Sequence, residues 1–314
     1  MTVAVRIARA YTGKDKVAFC GYHGWQDWYL AANLADDKNL NGHLLPGLEP
    51  KGVPRGLKGT AIPFNYNQIK ELEQIVKENK DVGVIVMEPI RYHEPKDNFL
   101  VKVRQIANRI GAVLIFDEIT IGWRLGYGGA HLKYGVNPDI AVFAKAMSNG
   151  FPMAAIIGAK EVMQAAQTTF ISSTYWTDGI GSVAALATIK KMIAKKVPQH
   201  LEKIGKSIKQ GLERAAKNNK LKVFVIGFPP LLAFSFDYED SEAIRTLFIQ
   251  EMLKRKILAG NNVDISYGFK PEHVKKYLTA VNEVFGLLQQ AIQQKKVRQL
   301  LKGPVAHSGF KRLT

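Results

Sequence analysis

Apolar and polar positions along this 314-residue chain fall into two alternating kinds of block. Short runs that are apolar nearly throughout, such as "KVAFC", "VGVIVMEPI", "GAVLIFDEI" and "PDIAVFAKAM", predict buried strands. Between them, apolar residues recur every three or four positions, which predicts amphipathic helices. The first segment, "TVAVRIARAYTG", predicts a helix with Val3, Ile7 and Ala10 on its apolar face, Arg6 and Arg9 turned away, and Gly13 as its end. The loop "GYHGWQDW" follows the first strand, and residues 41–59, rich in Gly and Pro, predict irregular structure. Further helices are predicted over residues 67–78 and Phe99–Ile110. Such alternation predicts an α/β fold with a mostly parallel sheet covered on both faces.

Beyond residue 178 the pattern changes. Two long helical stretches reach residue 219, with a break predicted at Pro198. "KVFVIG" and "LLAFSFDYE" then predict paired strands, followed by helices over residues 241–255 and 271–294. This is a smaller α+β unit. The expected division is a large domain over residues 1–192 and a small one over residues 193–314. No repeat at a fixed period occurs.

Composition narrows the picture. With 46% hydrophobic and 10% aromatic residues the chain predicts a packed globular protein. The single Cys20 excludes an internal disulfide and predicts a reducing, cytoplasmic compartment. No apolar run is long enough for a bilayer, and the first residues lack a signal-peptide pattern. The net charge of +17 raises the question of nucleic acid. The lysines, however, are spread over amphipathic helices, with no zinc-finger or RNA-recognition signature. A solvated basic surface is the reading, with neither a nucleic-acid nor a membrane partner.

Ligands of open α/β sheets sit outside the carboxyl ends of the strands. Three predicted strands end there in chemistry-bearing groups: Glu88, the pair Asp117-Glu118, and Lys145. A loop with Tyr22, His23 and Gly24 follows a fourth. Lys145 is expected at the inner end of an apolar strand, withdrawn from water. A lysine so placed gives up its proton more readily and becomes a nucleophile that can add to a carbonyl as a Schiff base. An acidic partner for a pyridinium nitrogen would complete a pyridoxal-phosphate site. A structural ion pair of Lys145 with Asp117 or Glu88 explains the same residues without a cofactor, and both readings stand. Glu118 and Arg124 are expected to pair with each other. The glycines of "GYGGAH" do not follow a strand and open a helix, so no nucleotide loop is predicted there.

The stretch "VLIFDEITIGWRLGYGGAHLKYGVNPDIAVFAKAMSNGFPMAAIIG" closely resembles the signature of class III pyridoxal-phosphate-dependent aminotransferases. "CGYHGWQDW", "GVPRGLKGTAIPFNYNQI" and "SSTYWTDGIGSVAALATI" are similar to the glutamate-1-semialdehyde 2,1-aminomutase-like subgroup. The resemblance implies a type I PLP-dependent transferase fold and pyridoxal 5'-phosphate as cofactor. By resemblance, Lys145 would carry the cofactor and shuttle protons, and Asp117 would pair with the ring nitrogen. Tyr22 would stack on the ring, His23 would shape that loop, and Glu88 would lie behind the cofactor or near the substrate. Thr174 would reach the cofactor phosphate of a neighbouring subunit, which implies a homodimer.

The implied chemistry is amino-group transfer on a small amino or oxo acid. Intramolecular transfer, as in the aminomutase, is one alternative, and an inactive truncated paralogue or gene fragment is another. The family carries a longer amino-terminal portion with a phosphate-binding loop, so the chain is expected to be a shortened version. "EPIRYHEPKDNFL" also departs from the glycine-rich continuation usual after Glu-Pro, on the substrate side of the expected pocket.

Overall fold

The computed structural model describes residues 1–90 and 92–309. Arg91, inside the divergent stretch after Glu-Pro, lies outside the described residues. Among the described residues nine strands form two sheets. Those of the first are β1 (Lys16–Cys20), β2 (Ala61–Pro63), β3 (Val82–Met87), β4 (Val113–Asp117), β5 (Ile140–Phe143) and β6 (Ala155–Gly158), in the order β2-β1-β3-β4-β5-β6. The first five are parallel, and β6 closes one edge antiparallel to β5. The order reverses around β1, so the loops after β1 and β3 flank a switch point at the carboxyl edge.

The central strands β3, β4 and β5 are buried throughout because both faces are covered. Val17, Phe19, Val84, Val86, Val113, Ile115, Ile140 and Val142 face one core with the helix Thr2–Thr12. Their neighbours Ala18, Ile85, Met87, Leu114 and Phe116 face a second core, against the helices Ile69–Glu78 and Phe99–Ile110. Each such fully buried aliphatic or aromatic side chain contributes about 2 kcal/mol. The first helix buries Ala4, Val5, Ile7 and Ala8 with Val3 packed partly buried beside them, as expected for Val3 and Ile7, whereas Ala10 is exposed.

By internal contacts the described residues divide into two compact units, one built from Met1–Ile90 and Glu94–Ala194, the other from residues 92–93 and Lys195–Ser308. The second holds an antiparallel sheet of β7 (Val223–Phe228), β8 (Leu231–Phe236) and β9 (Asn262–Asp264). The helices Val197–Asn218, Ser241–Lys254 and Pro271–Gln293 belong to the same unit. Phe234, Phe236, Phe248 and Phe285 pack edge to face or tilted in its core. Pro198 does not break the helices. The break falls at Lys195 and Lys196, and Pro198 sits in the first turn of the second helix, where its missing N–H costs nothing.

Candidate functional site

Five of the six expected residues, Tyr22 among them, lie at the carboxyl edge of the large sheet. Asp117 is the last residue of β4 and pairs in register with Val142 of β5. Lys145 follows three positions later, in a 3-10 turn after β5 ends at Phe143. His23 stands in the loop after β1, and Glu88 directly follows β3.

Asp117 is 4% exposed. Its Oδ2 lies 2.8 Å from His23 Nδ1, and its Oδ1 accepts from the Ile119 amide at 3.1 Å. His23, also buried, places Nε2 3.0 Å from the Cys20 carbonyl oxygen. A carbonyl only accepts, so Nε2 must carry a proton. The contact to Asp117 then needs a second proton, on Nδ1 or on the carboxyl group, and this assignment follows from the network. The pair is therefore either an imidazolium with a carboxylate or a neutral imidazole with a carboxylic acid.

The loop after β1 is fixed from several sides. The Tyr29 hydroxyl donates to the Gly21 carbonyl at 2.9 Å, and the Gly21 amide donates to His43 Nδ1 at 3.2 Å. Gly21 has φ 107, and a Cβ there would lie 2.9 Å from Glu88 Oε2, so only glycine lets that carboxylate come so near. Burial, and then the charge of His23, hold the His43 imidazole below its usual value, with Glu71 opposing. Burial pushes the Cys20 thiol up, and Glu88 and Glu71 add to it. Tyr22 is 37% exposed and meets Tyr29 edge to face.

Lys145 corrects an expectation. It is exposed rather than buried, because the apolar period stops at Phe143 and the turn carries the side chain to the surface. Its Nζ donates to Thr120 Oγ1 at 3.0 Å, so its partner is neither Asp117 nor Glu88. Glu118 is the second correction. Its oxygens accept from the Ala130 amide at 2.8 Å and the His131 amide at 3.0 Å, and lie 2.7 Å from His131 Nδ1. Arg124 instead donates through Nε to the Thr120 carbonyl at 2.7 Å. Thr174 is exposed in the segment before the helix Gly179–Ala194, and among the described residues no hydrogen bond joins it to the other five.

Sequence reasoning missed Thr120, His131 and the His23–Asp117 contact. The spacing of 94 residues between the last two carries no pattern, and only the convergence of strand ends points to it. Asp117 retains acceptor positions beyond those used by His23 and Ile119. A buried carboxylate with acceptor positions to spare, one strand from a primary amine, fits a group that offers a ring N–H and a carbonyl.

The family model described as aminotransferase class-III matches residues 1–256. The 3-aminobutyryl-CoA aminotransferase of Cloacimonas acidaminovorans (strain Evry) is 32% identical over 267 residues, 82% of this chain and 60% of the relative. The glutamate-1-semialdehyde 2,1-aminomutase of Clostridium tetani (strain Massachusetts / E88) is 31% identical over 276 residues, 81% of this chain and 64% of the relative. The chain thus spans less than two thirds of the length of these relatives. Among solved structures, the FumI protein of Sphingopyxis sp. MTA144 in its PLP internal aldimine form aligns with TM-score 0.82 at 20% identity. That match covers 93% of this chain and 69% of the other. An omega-transaminase from Sphaerobacter thermophilus aligns with TM-score 0.79 at 20% identity, covering 92% and 72%. The fold is that of the type I PLP-dependent transferases, and the chain belongs to the class-III aminotransferase family.

Proposed function

We propose that this chain performs amino-group transfer on a small amino or oxo acid with pyridoxal phosphate. The observation that carries the reading is the meeting of a buried, histidine-paired Asp117 with a primary amine held beside the same strand end. When bound, the cofactor supplies an electron-withdrawing ring conjugated to the substrate nitrogen. Asp117 accepts the ring N–H, and His23 at its back keeps that carboxylate in place. The Lys145 amine would hold the cofactor and, once freed by the substrate amine, would act as the base that moves a proton at the substrate Cα. Tyr22 would lie over one face of the ring, and Glu88 supports the loop through its approach to Gly21.

A second copy of the chain is part of the reading. Phe170, Tyr175 and Trp176 are exposed, and so are Ile180, Val183 and Leu186 along the helix Gly179–Ala194. Exposed apolar groups at helical spacing favour a protein partner. Thr174 lies in the same stretch, in keeping with a phosphate contact across a homodimer.

Similarity at nearly equal identity to a CoA aminotransferase and to aminomutases keeps a second reading, transfer within one molecule. An assay for free oxo product separates the two, since intramolecular transfer releases none. The common mechanism is tested with Lys145→Ala, which is expected to abolish turnover with circular dichroism and melting temperature unchanged. Sustained turnover in that variant would refute it.

A further inference from the structure

A lysine amine on a four-carbon stem, unsupported by packing, samples many positions. Lys145 is exposed, so packing does not hold its amine; the 3.0 Å bond to Thr120 Oγ1 does. The backbone is committed to this placement as well. Lys145 has φ 48, a left-handed conformation uncommon for a residue with a Cβ, and the Asn149 amide caps its carbonyl at 3.2 Å.

Thr120 is itself held on several sides. Two residues N-terminal to it, Glu118 binds both the Ala130 and His131 amides and the His131 ring, tying the far end of the 119–130 loop to the end of β4. Glu118 is fully buried. The Gly122 amide returns to the Glu118 carbonyl at 2.8 Å, and the Trp123 amide bonds the Gly128 carbonyl at 2.7 Å. Arg124 Nε fixes the Thr120 carbonyl at 2.7 Å. At Gly129 a Cβ would stand 2.3 Å from the His131 ring and 2.8 Å from Glu118 Oε1, so this closure depends on the missing side chain.

We propose that Thr120 is a positioning residue that sets the resting place of the Lys145 amine, and that the buried Glu118–His131 pair holds Thr120 there. The inference rests on the reading of Lys145 as the cofactor-bearing amine, but its test needs no cofactor. Apo protein is labelled with trinitrobenzenesulfonate, which attacks the neutral amine, and the label on Lys145 is quantified by peptide mapping against other exposed lysines. Thr120→Val is expected to raise Lys145 labelling about threefold or more, the size of one modest hydrogen bond, and Thr120→Ser to restore it. Glu118→Gln is expected to raise it as well. Unchanged labelling in Thr120→Val would overturn the role of Thr120. A lowered melting temperature with unchanged labelling in Glu118→Gln would reduce the pair to a purely structural element. Should Glu118→Gln not fold, His131→Gln carries the same test, because its amide can still donate to Glu118. Loss of cofactor binding alone would overturn the functional reading and leave these labelling ratios untouched.

Discussion

Asp117 and Glu118 are consecutive, buried carboxylates at the end of one strand, and each meets a histidine through Nδ1. Their hydrogen bonding differs. Glu118 takes two backbone amides and the His131 ring, and a neutral His131 carrying its proton on Nδ1 suffices for all three contacts. Asp117 takes a single amide, and its histidine already spends the Nε2 proton on the Cys20 carbonyl, so an extra proton must lie within the pair. Glu118 spends three acceptor positions on the loop it closes. Asp117 spends two, and is the one we propose to serve a ligand. Two adjacent acidic residues, alike in sequence, thus separate into a structural and a chemical one through the donors that the fold brings to them.

Amide substitutions break this comparison in opposite ways. Asp117→Asn is expected to have the largest effect, a fall in kcat of about a hundredfold or more, because a neutral amide no longer stabilises a protonated ring. Its stability should stay near wild type. The new amide can donate to a bare His23 Nδ1 while its oxygen keeps the Ile119 amide, so every partner is satisfied. An unchanged rate would remove Asp117 from its role. Glu118→Gln comes next, with a stability loss of about 2 kcal/mol in urea titration, because its NH2 would face the Ala130 or His131 amide, donor against donor. Equal stability of the two variants would contradict the division.

The smallest effect is a pH slope confined to the Asp117 side. His43 accepts from the Gly21 amide, and burial together with His23 holds its folded value below 6.5, against the pull of Glu71. As pH falls the unfolded chain takes up this proton first. The stabilisation is therefore present above 6.5 and is lost as pH falls through the folded value. From about pH 7.5 to about pH 5.5 the wild type should lose more stability than His43→Gln. Parallel pH profiles of the two proteins would exclude the effect.

The strands β3, β4 and β5 and the helix Phe99–Ile110 were legible because uninterrupted apolar runs and a full helical stripe leave little choice of structure. β2 and β6 escaped notice. They span three and four residues, and β6 is only half covered, so neither offers a period long enough to read. At the site, Asp117 and Lys145 were marked by their place after apolar runs, but their surroundings were not. Burial of Lys145 was inferred by extending the strand one residue past Phe143, where the backbone already turns. The expected pairing of Glu118 with Arg124 does not form. The folded loop instead brings His131, thirteen residues away, to the carboxylate and sends Arg124 to a carbonyl. Hydrogen bonds across such distances are properties of the assembled edge, and residue spacing does not encode them.

The central claim, that Lys145 and Asp117 form a cofactor-bearing site, is tested most directly by covalent trapping. Purified protein is mixed with pyridoxal phosphate, desalted, scanned for visible absorbance, reduced with borohydride and mapped by mass spectrometry. A retained visible band that bleaches, with the pyridoxyl label on Lys145, is the predicted result. No retained band, or label spread over surface lysines without preference for Lys145, would contradict it.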